Sequence, residues 1–144
     1  MGNIYDYYAA TDDRHALALF EDDRMDDPFG TLGLKGAGPE LLLGTVEAHL
    51  TGVPEEQVEA DPRFCELLND AANEGPWLVS LTDGFRDALA AATPERLLEA
   101  ATAWTRTEDG DGQDPALLAD FLERLSELAR DARPGRRLYC AMSL

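Results

Sequence analysis

The C-terminal part of the chain carries the clearest helical pattern. After Asp114-Pro115, apolar side chains recur every three or four residues as far as Ala132. That spacing places them on one face of an α-helix. Proline suits the first turn of a helix, where a backbone N–H has no partner within the helix. The pattern therefore predicts a long amphipathic helix that packs one apolar stripe on a core.

Patterns typical of strands occur at both ends of the chain and near its middle. Residues 3–8 are aromatic and β-branched, residues 77–81 form a compact apolar run, and apolar residues alternate with others from Leu138 to Leu144. Such segments are typical of β-strands. We predict that the two terminal strands pair, because an unpaired strand leaves backbone groups unsatisfied. A glycine-interrupted run at 29–35 predicts a further short strand.

Five further helices are predicted from residues that favour a helix start. These starts are Thr11-Asp12-Asp13, Gly38-Pro39, Asp61-Pro62, Thr82-Asp83 and Thr93-Pro94. The first helix should end near Asp22 and the second at Gly52. The third rests on Phe64, Leu67, Leu68 and Ala71, which have helical spacing.

Together these elements predict one α+β domain spanning residues 1–144. We expect a small, mostly antiparallel sheet that includes the N- and C-terminal strands, with about six helices packed on it. Two Gly-Pro or Pro-Gly turns, at Gly75-Pro76 and Pro134-Gly135, separate helices from the strands that follow.

The chain is strongly acidic. It has 29 Asp and Glu against 12 Lys and Arg, for a formal net charge of −17, and most of the excess precedes Gly75. This charge repels nucleic acid and anionic lipid, so we expect no binding to either and a basic protein as the partner. The sequence shows neither a membrane-length apolar stretch nor a secretory signal pattern. A cytoplasmic location is therefore predicted.

The residues that commonly bind metals or act as nucleophiles do not form a motif. Cys65 and Cys140 stand far apart and are expected to be reduced thiols in apolar surroundings. His15 and His49 have no neighbouring ligand at the spacing of a zinc site. The acidic loop that begins at Asp109 matches only the first two ligands of a calcium-binding EF-hand. We therefore expect no metal and no cofactor.

The aromatic residues offer one possible ligand site. Tyr5, Tyr7, Trp77 and Trp104, with Tyr8, would line a cleft if the N-terminal and middle strands were neighbours. Aromatic residues at strand and helix-face positions are also typical of a hydrophobic core. Both interpretations are open at the level of sequence.

Both ends of the chain and its middle strand resemble those of small uncharacterised proteins from actinobacteria. The resemblance lies in residues 1–10, in Trp77-Leu78-Val79-Ser80-Leu81 and in residues 137–144. It involves structural residues and implies no activity.

Two functions of different classes follow from these observations. The leading hypothesis is a non-enzymatic acidic interaction protein, such as a regulator, an inhibitor or an immunity-type partner, because neither a Gly-x-Ser-x-Gly nucleophile motif nor a phosphate-binding glycine loop is present. The alternative is a small-molecule binding protein or enzyme whose site is lined by the aromatic residues. The sequence does not determine the oligomeric state.

Overall fold

The computed structural model describes residues 4–21, 38–69, 75–132 and 135–143. The elements, in chain order, are β1 (Ile4–Ala10), α1 (Asp13–Glu21), α2 (Pro39–Thr51), α3 (Glu55–Glu59), β2 (Trp77–Ser80), α4 (Asp83–Ala91), α5 (Pro94–Thr105), α6 (Pro115–Ala132) and β3 (Arg137–Ser143). The predicted α+β class is confirmed. The predicted strand at 29–35 lies outside the described residues.

The three strands form one antiparallel sheet in the order β1-β3-β2. The C-terminal strand is therefore central, and Cys140 lies opposite Tyr7 on one side and Val79 on the other. The predicted pairing of the terminal strands is confirmed.

Successive side chains on a strand point to opposite sides of the sheet, so each strand contributes to two cores. Different helices cover the two faces. The larger core lies on the face covered by α2, α4, α5 and α6, which we call the helical face. Its buried residues include Tyr5, Tyr7, Val79, Leu138 and Cys140 of the strands, and Leu42, Val46, Phe85, Leu89, Leu97, Trp104, Phe121, Leu122 and Leu125 of the helices.

The opposite face, which we call the α1 face, has a smaller core. Tyr8, Ala10, Leu78, Tyr139 and Ala141 of the strands pack there with Ala16 of α1. Half-buried Leu17, Leu19, Phe20 and Leu68 complete this cluster.

The prediction of a helix that starts at Asp61-Pro62 is wrong, because residues 61–65 form a turn. The Asp61 carboxylate accepts the N–H of Arg63 at 2.9 Å, which forms a turn, and Cys65 has a positive φ of 50°, which ends any helical path. The chain then runs along the outer edge of β2, where the Leu68 N–H donates to the Leu78 carbonyl at 2.8 Å. The proposed fourth member of the apolar stripe, Ala71, lies outside the described residues.

Helix α3 was not predicted from the sequence. It has only five residues, and its N-terminal flank is Pro54 followed by acidic residues in the first turn. One missed short helix therefore replaces one wrongly predicted helix, and the described residues form six helices in all.

The predicted helix ends are confirmed where they depend on local chemistry. The Thr82 and Thr93 hydroxyls accept the N–H groups of Phe85 and Arg96, which caps α4 and α5. Gly52 closes α2 in the left-handed conformation, with φ 76°. In the turn after α5, Gly110 leaves no room for a side chain, because a Cβ there would lie 2.2 Å from a backbone carbonyl oxygen.

None of the described helices combines the length and the apolar character needed to span a membrane.

Candidate functional site

The four aromatic residues named from the sequence lie on or against the helical face. Tyr5, Tyr7 and Trp104 are 6%, 3% and 1% exposed, whereas Trp77 is half-buried. Tyr5 and Trp77 both lie opposite Met142, so the sheet does place them in one row. None of the four lines any of the cavities described below. A ligand site formed by these residues stays a prediction.

The α1 face contains a charged network that sequence analysis did not identify. The two terminal guanidinium nitrogens of Arg63, Nη1 and Nη2, donate to the two carboxylate oxygens of Asp13, at 3.2 and 3.1 Å. The Tyr139 hydroxyl donates to the same carboxylate at 2.7 Å, and the Arg63 guanidinium lies 5.8 Å from the centroid of the Tyr139 ring. The network joins α1 and the turn at residues 61–65 to the central strand.

The charge of Asp13 is stabilised by its donors. Partial burial alone would raise the pKa of this carboxyl, but the hydrogen bonds from Arg63 and Tyr139 and the charge of Arg63 outweigh it. The pKa of Asp13 is therefore lowered, and the ion pair persists at neutral pH. The Nε of Arg63 is buried and has no hydrogen-bond partner among the described residues, whereas both terminal nitrogens are bound to Asp13. Because the network joins three separate segments of the chain, we interpret it as a structural connection.

A second acidic side chain is buried between helices. Glu47 of α2 is 7% exposed and accepts a hydrogen bond from the hydroxyl of Thr82, the residue that caps α4. Burial raises the pKa of Glu47; the Thr82 hydroxyl lowers it by less, and nearby Asp61 raises it further. The pKa of Glu47 is thus shifted in the opposite direction to that of Asp13. Relative to the unfolded chain, the fold favours the protonated form of Glu47.

The two thiols are free, as expected from the sequence. Cys140 is fully buried on the helical face, whereas Cys65 is half-buried, and burial together with the charge of Glu40 raises the pKa of Cys65 to about 12. A thiol with so high a pKa is protonated and a weak nucleophile at neutral pH. Among the described ranges, no cluster of three or more His, Cys, Asp or Glu is placed to hold a metal ion.

In the part of the chain that the structure describes, four surface cavities lie around the corner where α4 turns into α5. Their volumes are about 560, 360, 210 and 190 Å³, and each is lined by at least one residue of the segment 92–95. The largest lies between α5 and the end of α2, and the next lies between α5 and the start of α6. We call the surface formed by these two larger cavities the corner surface.

One exposed leucine divides the corner surface. Leu98 of α5 is 48% exposed and lines both of the larger cavities. The larger cavity follows one stripe along α5 and is completed by a histidine of α2; its lining residues are His49, Glu95, Leu98, Glu99, Thr102, Ala103 and Arg106. The smaller is lined by Pro94, Glu95, Leu98, Ala116, Ala119, Asp120 and Glu123.

The rim of the corner surface is mainly acidic. Glu99 is paired with Arg96 at 3.0 Å, and Asp120 with an arginine one turn later on α6 at 3.3 Å. Glu95 and Glu123 form no ion pair with any residue that the structure describes. Two carboxylates without an ion-pair partner in the described ranges therefore lie close to the exposed apolar side chain.

The helical pattern of α5 explains why Leu98 is exposed. Leu97, Ala100, Ala101 and Trp104 are buried and form the stripe that packs on α2 and α6. At about 100° per residue, these four side chains lie within about 50° of one direction around the helix axis, whereas Leu98 lies about 110° from that direction and so falls outside the stripe. An apolar residue next to the stripe was the available signal, and sequence analysis missed it. Sequence analysis considered His49 only as a possible zinc ligand.

Comparisons of the chain with protein-family models, with curated proteins and with solved structures find no match.

Proposed function

We propose that this chain is a non-enzymatic interaction protein that binds a basic protein through the corner surface. The observation that carries the proposal is the combination of half-exposed Leu98, a cavity on each side of it, and the carboxylates of Glu95 and Glu123, which form no ion pair with the part of the chain that the structure describes. Binding sites for proteins typically combine an apolar centre with a polar rim. A regulator, an inhibitor or an immunity-type partner would use such a surface.

Charge decides among the kinds of partner. A net charge of −17 and an acidic rim repel nucleic acid and anionic membranes. A two-fold contact between copies would bring Glu95 and Glu123 against the same acidic surface of the second copy. A basic protein is attracted by the same field, and it can place apolar side chains in the cavities.

The acidic run on α3 is the competing location for a partner. Glu55, Glu56 and Glu59 are exposed there, next to exposed Asp61. They line none of the four cavities. Exposed charges without desolvated apolar surface steer association but add little affinity. We therefore assign the binding energy to the corner surface and only long-range attraction to α3.

A cytoplasmic location is part of this proposal. The free thiols of Cys65 and Cys140 are consistent with it, because that compartment keeps thiols reduced.

The proposal is tested by capture from an extract of the source cells with three forms of the immobilised protein. The unchanged chain and the Leu117→Glu variant should retain the same basic partner, whereas Leu98→Glu should lose it. Leu117 is the matched control because it is an exposed leucine, at 66%, that lines neither large cavity. Capture that is indifferent to Leu98→Glu, or a captured partner that is acidic, contradicts the proposal.

A further inference from the structure

Along the exposed stripe of α5, the charged side chains change from negative at its start to positive at its end. Glu95 and Glu99 lie toward its start and Arg106 at its end, with Leu98, Thr102 and Ala103 between them. From Glu95 to Arg106 the stripe spans about three turns, or about 16 Å at the rise of an α-helix. Glu123 adds a second carboxylate near the acidic end that has no ion-pair partner among the described residues.

The lining of the corner surface favours a helical occupant. The residues around both large cavities belong to α2, α5 and α6 or, for Arg106, to the cap of α5. An extended peptide typically binds by pairing with the edge of a strand or by docking in a groove lined by aromatic residues. Neither a strand residue nor a Phe, Tyr or Trp lines the two large cavities. A groove between helices instead accepts the apolar face of another helix. The small side chains of Thr102 and Ala103 allow close approach beside Leu98.

We propose that the corner surface binds an amphipathic helix of about three turns that runs antiparallel to α5. Its C-terminal end is basic and lies over Glu95 and Glu123, its N-terminal end is acidic and lies near Arg106, and a large apolar side chain lies beside Leu98. This inference rests on the proposed function and deepens it by specifying the secondary structure, the polarity and the charge order of the partner segment.

The direction follows from two independent electrostatic effects. The graded stripe places cations of the partner at the start of α5 and anions at its end. Cations are also favoured at the C-terminus of a helix and anions at its N-terminus, because of the helix dipole. Both requirements are met together only when the partner helix is antiparallel to α5. A parallel helix would need its cations at its own N-terminus.

Two synthetic helical peptides of identical composition test the direction. Both have the same leucine stripe; the first has glutamates in its N-terminal turn and arginines in its C-terminal turn, and the second has these charges exchanged. Their affinities for the full chain are measured by fluorescence anisotropy at low and moderate salt. We expect the first peptide to bind at least about tenfold more tightly, which corresponds to about 1.4 kcal/mol.

Variants of the protein locate the binding. Leu98→Glu should lower the affinity for the first peptide by at least about tenfold, as expected for the apolar centre of an interface. Leu98→Ala should also lower this affinity. The double variant with Glu95→Gln and Glu123→Gln should reduce the preference between the two peptides, because it removes two negative charges from the acidic end and leaves Arg106 unchanged at the other. Glu56→Gln on α3 is the control and should change neither affinity. Circular dichroism confirms that each variant is folded.

A paramagnetic label at the C-terminus of the first peptide provides an independent readout. It should broaden the amide signal of Glu95 more strongly than that of Arg106. Equal affinities for both peptides, broadening at Arg106 instead, or no binding of either peptide overturns this inference. If capture from the extract still depends on Leu98 in that case, the proposed function stands without it. If capture does not depend on Leu98, the proposed function itself is wrong.

Discussion

Tyr7 and Tyr8 are adjacent on β1, but they serve two different kinds of core. Tyr7 is buried on the helical face, where its ring packs edge-on against Phe121 with a centroid distance of 5.3 Å. Tyr8 is buried on the α1 face, where its hydroxyl donates to the carbonyl of Ala16 at 2.7 Å. Beside Tyr8, the α1 face also holds the charged pair of Asp13 and Arg63.

The comparison shows that one sheet can be stabilised in two ways. The helical face relies on a large volume of closely packed apolar side chains, whose contribution depends on area and shape. The α1 face is smaller and adds charge-assisted hydrogen bonds, whose contribution depends on protonation. The proposed binding surface lies on neither face of the sheet but on the outside of the helical layer, where Leu98 is not needed for packing.

Removal of β3 should have the largest effect, because this strand is central and contributes side chains to both faces. A chain that ends before Leu138 should lose cooperative folding, since both other strands lose their pairing partner. Thermal unfolding followed by circular dichroism measures this. If the shortened chain melts cooperatively at the temperature of the full chain, the central role of β3 is wrong.

Single substitutions should separate the two faces. Phe121→Ala on the helical face should lower the free energy of unfolding by about 3–5 kcal/mol, because it leaves a cavity next to Tyr7. Tyr139→Phe on the α1 face should lower it by about 1–3 kcal/mol, because it removes only the hydrogen bond to the charged Asp13. Urea titration of both variants tests the order. Leu117→Ala, at an exposed position, is the control and should change stability by less than about 0.5 kcal/mol.

The pH dependence of stability should differ in sign between Asp13 and Glu47. The lowered pKa of Asp13 stabilises the fold above the unfolded-state pKa, and this contribution is lost as the pH falls through the folded-state pKa. Asp13→Asn should therefore be destabilised at neutral pH and approach the unchanged protein in acid.

Glu47 should behave in the opposite way because its pKa is raised in the fold. Its contribution is present at low pH and is lost as the pH rises through the folded-state pKa. Relative to Glu47→Gln, the unchanged protein should thus gain stability on acidification. Urea titrations at several pH values from neutral to below about 3.9, the ordinary pKa of an aspartate, measure both differences, because the contribution of Asp13 is lost only there. A common sign for the two variants would refute the assignments.

Salt should have the smallest effect. At low ionic strength the net charge of −17 causes repulsion that is stronger in the compact chain than in the unfolded one. Near physiological ionic strength the Debye length is about 8 Å, so salt screens this repulsion. The melting temperature should therefore rise by a few degrees between low and moderate salt. An unchanged or lower melting temperature would show that the acidity does not affect stability.

Most elements were predictable because their signals are local. The caps at Thr82 and Thr93 and the stripe of α6 each depend on residues within a few positions of one another. The segment that begins at Asp61 was mispredicted because its apolar spacing fits a helix. Its conformation is instead set by a distant partner, since Leu68 pairs with Leu78 of β2.

The candidate site was less predictable than the fold. For the four aromatic residues the sequence could not distinguish a pocket from a core, because that depends on which helices cover the sheet. The corner surface combines His49 of α2, Leu98 of α5 and Glu123 of α6. No pattern along the chain brings these three positions together.

The sequence by itself determined the α+β class, the pairing of the terminal strands, most helix boundaries and the strong negative charge. Periodicity, capping and composition act over short distances or over the whole chain, so they can be read without coordinates. Only the tertiary structure decided that β3 is central, that Asp13 meets Arg63, and that Leu98 lies exposed between two cavities. Each depends on how separate elements pack, and packing brings together residues that are 50 or more positions apart, as Asp13 and Arg63 are.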